Sequence, residues 1–278
     1  MRGVHRRLLI AALAAAAIAA VLVQAIASPV NTLGWQVSHF TVASRYVHGR
    51  LTETLVTPPG GGRGRPLLVF MHGRGGNQDS TLSDQLFAAL RSLGSRAPDI
   101  VFPYGGDHSY WHNRADGAWG SYVLHEVLPQ ALARTGADAK RVAIGGISMG
   151  GFGAYDLARL DPGRFCAVGG HSAALWTSAG QTAPGAFDDA SDYGRHNVIA
   201  AARNHPGLYG TAKLWLDGGS ADPFHAADES LAAALRIHMH VWPGDHSYGY
   251  WNAHIGDYLR FYASALATCG ATAGAGAD

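Results

Sequence analysis

The stretch RVAIGGISMGGFGAYDLARL, residues 141–160, predicts how this chain folds. It opens with an apolar run typical of a buried strand, and residues 149–160 have the composition of a helix. Between them, Gly146 and Gly150 flank Ser148 in the pattern Gly-x-Ser-x-Gly. Glycines at these positions permit a tight strand-to-helix turn that presents the serine hydroxyl at the edge of a sheet. We therefore predict a nucleophilic serine. An ordinary packing turn is the alternative, because the chain contains 37 glycines.

On both sides of this turn, short apolar segments alternate with helical ones. We predict strands at residues 35–44, 50–58, 66–73, 99–104, 141–147, 164–172, 213–219 and 237–244. We predict helices at residues 79–94, 117–135, 149–160, 223–237 and 249–266. The first two strands alternate apolar and polar residues and are expected to pair antiparallel. The later alternation of strand and helix predicts an α/β fold, with a mostly parallel sheet and helices on both faces.

Length and composition indicate one packed domain. Of 278 residues, 47% are apolar and 15% are charged, whereas disordered chains carry more charge and less apolar bulk. We place this domain at residues 28–270, followed by a flexible tail at residues 271–278. The net charge is +1 and the arginines are scattered, so no basic stripe is available to bind phosphates. We expect no nucleic-acid partner.

The N-terminal segment, residues 1–27, differs from the rest. It begins with a basic stretch and continues with a long uncharged, mostly apolar run. This pattern is typical of an export signal, and the small residues before Ser28 suit cleavage. The run is also long enough to remain as a membrane anchor. Either outcome predicts a secreted or cell-envelope protein, with membrane association through this segment if it is retained.

Export would place the chain in an oxidising compartment, where Cys166 and Cys269 could form a disulfide. Two separate buried thiols are equally compatible with the sequence, because a free cysteine often serves as a small core residue.

Residues 171–206 interrupt the alternation of strand and helix. Residues 171–192 show no clean period, and residues 192–205 have a helical pattern. A long irregular connection inside a compact α/β domain is usually functional, so we predict a small lid. A surface loop without a role is the alternative.

The pentapeptide GDHSY occurs at residues 106–110 and again at residues 244–248. A serine nucleophile needs a histidine base, and in enzymes with this type of turn the chain order is serine, acid, histidine. His246 follows the last predicted strand, whereas His108 precedes Ser148. We therefore predict His246 as the base.

The first copy of the pentapeptide follows the predicted strand at residues 99–104. It should lie at the carboxyl edge of the sheet, where a substrate crevice opens. The candidates for lining this pocket are His108, Tyr110, Trp111 and Asn113. The alternative is that the repeat is coincidental and that the loop only packs.

Three aspartates follow Ser148 near a strand end and could orient the base: Asp217, Asp222 and Asp228. Asp222 stands on the loop after a strand, at the position expected to face the histidine. It is also a good helix N-cap, because proline follows it. Asp217 at the strand tip could instead stabilise the turn, and Asp228 is expected to be solvated on a helix. We favour Asp222 and keep Asp217 as the second choice.

The developing oxyanion requires two donors. One should be the amide after the serine, that of Met149, and the other an amide on the loop after an earlier strand. The sequence His72-Gly73-Arg74 makes the Arg74 amide the first candidate and that of Gly73 the second. The Arg74 guanidinium could bind an acidic or polyhydroxylated substrate, or simply extend into solvent.

Histidine is abundant, with 15 residues, so a metal must be considered. His238 and His240 alternate on one predicted strand, but no carboxylate or cysteine cluster completes a ligand set. We expect no metal and no cofactor.

The motifs GGISMGGFGAYDLA, HGRGGN, LDGGSADPF and PGDHSYGYWNAHIGDYLRFY together resemble one esterase branch of the α/β-hydrolases. This branch includes esterase D (S-formylglutathione hydrolase), feruloyl and acetyl-xylan esterases, and the cell-envelope mycolyltransferases. The resemblance covers roughly residues 50–266 and implies an α/β-hydrolase fold with a short lid insertion. By resemblance, the site consists of the triad Ser148, Asp222 and His246 and the oxyanion donors Met149 and Arg74.

The chain departs from these relatives in two places. The export leader and the HGRGG loop count against S-formylglutathione as the substrate. His72 stands where the mycolyltransferases tend to carry an acidic residue, which weakens the case for acyl transfer.

The resulting expectation is an exported serine esterase that acts on small-molecule or glycan-linked esters. The first alternative is an acyltransferase of the mycolyltransferase type acting on envelope sugars, favoured if the lid around Leu175 and Trp176 excludes water. We expect both of these residues to contact substrate. The second alternative is a non-catalytic envelope-binding module, which an intact triad would argue against.

Overall fold

The computed structural model describes residues 29–269, and the fold lies in the compact unit that begins at Thr32. The predictions for residues 1–27 and 271–278 lie outside the described residues. Within residues 29–269, no helix combines the length and the apolar character needed to cross a membrane.

An eight-stranded sheet forms the centre of this unit. The ten strands are β1 (Gln36–Ser44), β2 (Gly49–Thr57), β3 (Leu67–Met71), β4 (Asp99–Phe102), β5 (Asn113–Arg114), β6 (Gly117–Ala118), β7 (Val142–Ile147), β8 (Ala167–His171), β9 (Lys213–Gly219) and β10 (Met239–Trp242). The order in the sheet is β1-β2-β4-β3-β7-β8-β9-β10, and β5 and β6 form a separate hairpin. In the eight-stranded sheet, β1 and β2 pair antiparallel, as do β2 and β4, while every other pair is parallel. The predicted α/β class with a mostly parallel sheet is confirmed.

Helices connect the strands. They are α1 (Asp84–Leu93), α2 (Trp119–Tyr122), a π-helical turn (Val123–Val127), α3 (Leu128–Thr135), α4 (Met149–Leu160), α5 (Ala190–His196), α6 (Val198–Asn204), α7 (His225–Leu235) and α8 (Tyr248–Thr268). The central strands β3, β4, β7 and β8 are buried along their whole length. Their continuous apolar runs fit this position, because a parallel sheet is covered on both faces.

Two apolar cores lie on opposite sides of the sheet. On one side, α1 and α8 pack together through side chains such as Phe87 and Leu259. On the other side, α3, α4, α6 and α7 cover the sheet through side chains such as Leu128, Leu157 and Leu231. The loops that follow the parallel strands meet at the carboxyl edge of the sheet.

Two predicted helices have different boundaries. The helix predicted from residue 79 begins only at Asp84, because the Ser83 hydroxyl accepts a hydrogen bond from the Leu86 amide and caps it there. The pattern at residues 192–205 forms two helices, since Asn197 is extended and its side chain accepts from the Ala200 amide. The predicted lid segment therefore contains α5 and α6 instead of one continuous helix.

Cys166 and Cys269 form a disulfide with their Cα atoms 5.8 Å apart. Cys166 directly precedes β8, and Cys269 directly follows α8. The bridge therefore attaches the end of the last helix to the sheet. Of the two arrangements that the sequence left open, the structure shows the paired one.

Candidate active site

The strand-to-helix turn holds Ser148 in an unusual backbone conformation, with φ 54° and ψ −117°. Neighbouring backbone leaves no room for side chains beside it: a Cβ on Gly146 would lie 2.5 Å from the Met71 carbonyl oxygen, and one on Gly150 would lie 2.1 Å from it. The two glycines are therefore required by the close approach of β3. The Ser148 amide donates to the His171 carbonyl at 2.9 Å, which ties the turn to β8.

Three side chains from separate loops meet at this turn. The Ser148 hydroxyl donates to Nε2 of His246 at 2.8 Å, and Nδ1 of His246 donates to Oδ2 of Asp222 at 2.9 Å. Ser148 follows β7, Asp222 follows β9 and His246 follows β10. The structure thus brings together the serine, the acid and the base that the sequence analysis selected. Such a chain of bonds can transfer the serine proton to imidazole while the carboxylate holds the ring.

The surroundings of Asp222 favour its charged form. Burial alone would raise the pKa of this carboxyl, but hydrogen bonds from His246 and the Phe224 amide outweigh burial and lower the pKa below its usual value. A carboxylate that stays ionised can stabilise an imidazolium. Phe224 and Trp251 also hold the His246 ring, each with its ring centroid 5.0 Å from that of the imidazole.

The two other candidate aspartates lie in the interior, and both expectations for them were wrong. Asp217 does not stabilise a turn, because it is fully buried in β9. Asp228 is not solvated, because α7 packs it against the sheet with no exposure. Burial, together with the nearby carboxylates of Asp222 and Asp217, raises the pKa of Asp228 well above its usual range.

Asp217 belongs to a buried network that sequence reasoning missed. Its carboxylate accepts hydrogen bonds from His171 Nδ1 at 2.6 Å, Trp215 Nε1 at 2.7 Å and the Tyr258 hydroxyl at 2.9 Å. The Tyr262 hydroxyl donates to Nε2 of His171 at 2.9 Å. His171 and Asp217 are register partners on β8 and β9. The sequence did offer a signal for this network: two successive predicted strands each carry a polar residue near the carboxyl end.

The loop after β3 lies against the nucleophile. A Cβ on Gly73 would be 3.1 Å from the Ser148 Cβ, so the backbone passes close to the serine. His72 holds this loop: its Nδ1 donates to the Gly73 carbonyl at 2.8 Å and its Nε2 accepts from the Gly105 amide at 3.0 Å. Burial lowers the pKa of His72 to about 4, which keeps it neutral. The Arg74 amide follows directly in this loop.

Met149 is the first residue of α4, so its amide has no partner within the helix. The positive end of the helix dipole lies at the same place. Donation by Met149 and Arg74 to a reacting oxygen stays a prediction.

Three of the five residues predicted to contact substrate are buried. Trp111 is completely enclosed, with its ring against Gly105 and Gly153 and its Nε1 donating to the His72 carbonyl at 3.2 Å. It supports the loop after β3 from behind, so its expected place in the pocket lining was wrong. The sequence did not predict this burial, because the glycines that leave room for the ring, Gly105 and Gly153, are not its neighbours in the chain.

Tyr110 and Leu175 are each only 2% exposed. Tyr110 lies beneath Trp176, with ring centroids 5.5 Å apart. Trp176 is half-buried and also packs edge-on against Phe224. The side chain of His108 is 43% exposed and faces Gly185 of the predicted lid. Trp176 and His108 are therefore the two predicted contacts that solvent reaches.

The further pocket candidate, Asn113, lies in the β5–β6 hairpin, where its side chain donates to the Ser121 hydroxyl and accepts from the Ser121 amide. His238 and His240 have ring centroids 4.7 Å apart, but among residues 29–269 no carboxylate or cysteine joins them in a ligand cluster. A different group, formed by His112, Asp192 and His196, has its donor atoms within 4.8 Å of one another.

Comparison with known proteins agrees with this architecture. The model of the family described as "Putative esterase" matches residues 44–262. Esterase Rv1288 of Mycobacterium tuberculosis is 33% identical over 119 residues, which cover 40% of this chain and 26% of that protein. This chain thus spans about a quarter of the length of that relative.

Two further relatives extend over more of the chain. The diacylglycerol acyltransferase/mycolyltransferase Ag85A of Mycobacterium ulcerans is 27% identical over 307 residues, which cover 91% of this chain and 90% of that protein. A solved ferulic acid esterase has a TM-score of 0.73 at 18% identity, over 83% of this chain and 98% of that chain, and shares the α/β-hydrolase fold. Because the family match extends over most of the chain, the chain belongs to this esterase family.

Proposed function

We propose that this protein is an exported serine esterase that hydrolyses carboxylic esters through an acyl-enzyme intermediate. The observation that carries the proposal is the pair of bonds at His246, 2.8 Å to the Ser148 hydroxyl and 2.9 Å to Asp222. Membership in the esterase family supports the same reaction. The half-buried Trp176 and the exposed Arg74 suit the mouth of a site for small-molecule or glycan-linked esters.

In the first half of the reaction, the Ser148 oxygen bonds to the ester carbonyl carbon as its proton passes to Nε2 of His246. The amides of Met149 and Arg74 stabilise the oxyanion. The carbon–oxygen bond to the alcohol then breaks, and His246 returns the proton to the departing alcohol. In the second half, water attacks the acyl-enzyme, His246 accepts its proton, and the carboxylic acid leaves as the Ser148 hydroxyl is restored.

Hydrolysis of p-nitrophenyl esters from acetyl to palmitoyl, and of methyl ferulate, tests this function. We expect turnover by the natural protein and a loss of at least about 10³-fold in Ser148→Ala. A fluorophosphonate probe should label the natural protein and not the variant. Folded protein that neither turns over any ester nor reacts with the probe would refute the proposal and revive the binding-module alternative.

A second candidate function is transfer of the acyl group to a sugar hydroxyl. The observation in its favour is the similarity to Ag85A, which extends over 91% of this chain. Incubation of an active ester with labelled trehalose or glucose separates the two reactions. Predominant acyl-sugar over free acid would favour transfer, and free acid alone would favour hydrolysis.

The proposal of export rests on the character of residues 1–27. The disulfide between Cys166 and Cys269 supports it, because such bonds persist in oxidising compartments. Cell fractionation, combined with N-terminal sequencing of the mature protein, tests both export and cleavage. Recovery of the protein in the cytoplasm with an intact N-terminus would contradict the proposal.

A further inference from the structure

A second cluster of titratable side chains lies apart from the triad, between the predicted lid and the body of the domain. His112 comes from the loop after β4, and Asp192 and His196 lie one turn apart on α5. All three are buried, with exposures of 1%, 0% and 9%. Among the described residues, none of their hydrogen bonds reaches Ser148, Asp222 or His246.

Both imidazoles direct Nε2 at the same carboxylate. Nε2 of His112 lies 3.0 Å from Oδ2 of Asp192, and Nε2 of His196 lies 3.7 Å from Oδ1. The donor atoms of the three side chains all lie within 4.8 Å of one another. Two imidazole nitrogens and one carboxylate are a ligand set that zinc uses in proteins.

The hydrogen bonds at the other ring nitrogens orient the histidines as ligands. Nδ1 of His196 donates to Oδ2 of Asp156 at 2.7 Å, so in the neutral ring the lone pair is on Nε2 and faces Asp192. Nδ1 of His112 lies 3.4 Å from the Tyr110 carbonyl. Metal-binding histidines usually carry such an acceptor on the second nitrogen, which selects the tautomer and turns the ring.

Without an ion, Nε2 of His112 donates a hydrogen bond to Asp192 at 3.0 Å, so a metal would displace this proton and take its place between the ring and the carboxylate. Asp192 is held from outside by the Asp188 amide at 2.9 Å and by the largely exposed Arg195 guanidinium at 3.0 Å. These contacts fix the carboxylate while the Nε2 atoms of His112 and His196 remain directed at it.

We propose that His112, Asp192 and His196 bind a divalent transition metal, with zinc as the best match to the ligand set. With three protein ligands, water would take the fourth position of a tetrahedral shell. The ion would attach α5 to the loop after β4, and through Asp156 the site reaches α4, the helix that begins directly after Ser148. A bound ion would hold the lid segment to the loop after β4, where His112 also stacks on Phe187 of the predicted lid with ring centroids 5.1 Å apart.

The test uses untagged full-length protein, stripped with a chelator and titrated with Co²⁺ and then Zn²⁺. We expect one equivalent of Co²⁺ with the visible absorption of a tetrahedral site, displaced by Zn²⁺. Zinc at about 100 times its Kd should raise Tm by about 5–10 °C. Absence of stoichiometric binding would overturn the proposal and leave the cluster as a network of hydrogen bonds.

Variants locate the site. His112→Gln and His196→Gln should lose the Co²⁺ spectrum and the Tm shift, whereas His205→Gln, at an exposed histidine on the same segment, should keep both. Unchanged metal binding in the first two variants would overturn the proposal. If either variant is unfolded by circular dichroism, X-ray absorption of the zinc-bound natural protein decides instead. Two imidazole ligands at about 2.0–2.1 Å are expected, and fewer would refute the site.

Discussion

His171 and Asp217 form a second buried histidine–aspartate pair, with Nδ1 and Oδ1 2.6 Å apart on neighbouring strands. This pair has the same chemical composition as His246 and Asp222, but Nε2 of His171 accepts from Tyr262 instead of a nucleophile. The second pair therefore joins β8, β9 and α8 and has no free hydroxyl to activate.

This difference predicts that two matched substitutions affect different properties, one the catalytic rate and the other the stability. Asp222→Asn should lower kcat by about 10⁴-fold, because the imidazole loses its orienting carboxylate. Asp217→Asn should destabilise the protein by about 1–3 kcal/mol, since the amide keeps one acceptor oxygen but replaces the other with a donor, while kcat per folded molecule stays within a few fold. Urea denaturation and ester turnover measure the two effects. A folded Asp217→Asn protein with the larger loss of kcat would reverse the assignment of the acid.

The two copies of GDHSY provide a second matched pair. His246→Ala should lower kcat by about 10⁴–10⁶-fold, because Ser148 loses its base. His108→Ala removes an exposed side chain beside the predicted lid, so we expect a change in KM or in ester preference with kcat largely retained. Steady-state kinetics on the most active ester distinguishes them. Equal losses of kcat would show that His108 also takes part in the chemistry.

The disulfide should contribute strongly to stability. Cys166 and Cys269 are 103 residues apart, and a link across so long a segment restricts the unfolded chain by about 2–5 kcal/mol. The free energy of unfolding of the double variant Cys166→Ser/Cys269→Ser should be lower by that amount, and its urea midpoint should be lower as well. Dithiothreitol should lower the urea midpoint of the natural protein to that of the variant. It should leave the midpoint of the variant unchanged. An unaltered unfolding curve in the variant would contradict this prediction.

Glu53 predicts a pH dependence of stability. It is completely buried in β2, where burial raises its pKa to about 7 despite bonds from Tyr122 and the Tyr104 amide. Between pH 4.5 and 7 the folded protein then binds more protons at this site than the unfolded chain does. The free energy of unfolding should therefore fall by about 3 kcal/mol as pH rises through this window.

The variant Glu53→Gln isolates this contribution. His72, whose pKa is lowered to about 4, acts in the opposite direction, because its folded form binds fewer protons below pH 6.5. That contribution is common to both proteins, so the difference between their urea stabilities at pH 5 and pH 8 reports Glu53 alone. The natural protein should lose more stability than the variant between these pH values. Parallel profiles would show that Glu53 is ionised throughout.

Local sequence pattern was sufficient for the strand and helix order and for the strand-to-helix turn at Ser148, because this turn depends on residues adjacent in the chain. Chain order and loop position also selected His246 and Asp222. These inferences need only neighbouring residues and the rule that parallel strands end at one edge.

Side-chain environments could not be inferred in this way. The burial of Trp111 depends on Gly105 and Gly153. The burial of Asp228 depends on the packing of α7. His112 meets Asp192 and His196, which lie 80 or more positions away in the chain. Each of these contacts joins segments that approach only when the sheet has formed, and no local period records them. The order of strands and helices therefore follows from the sequence alone. Which distant polar side chains contact each other is decided by the packing of the folded domain.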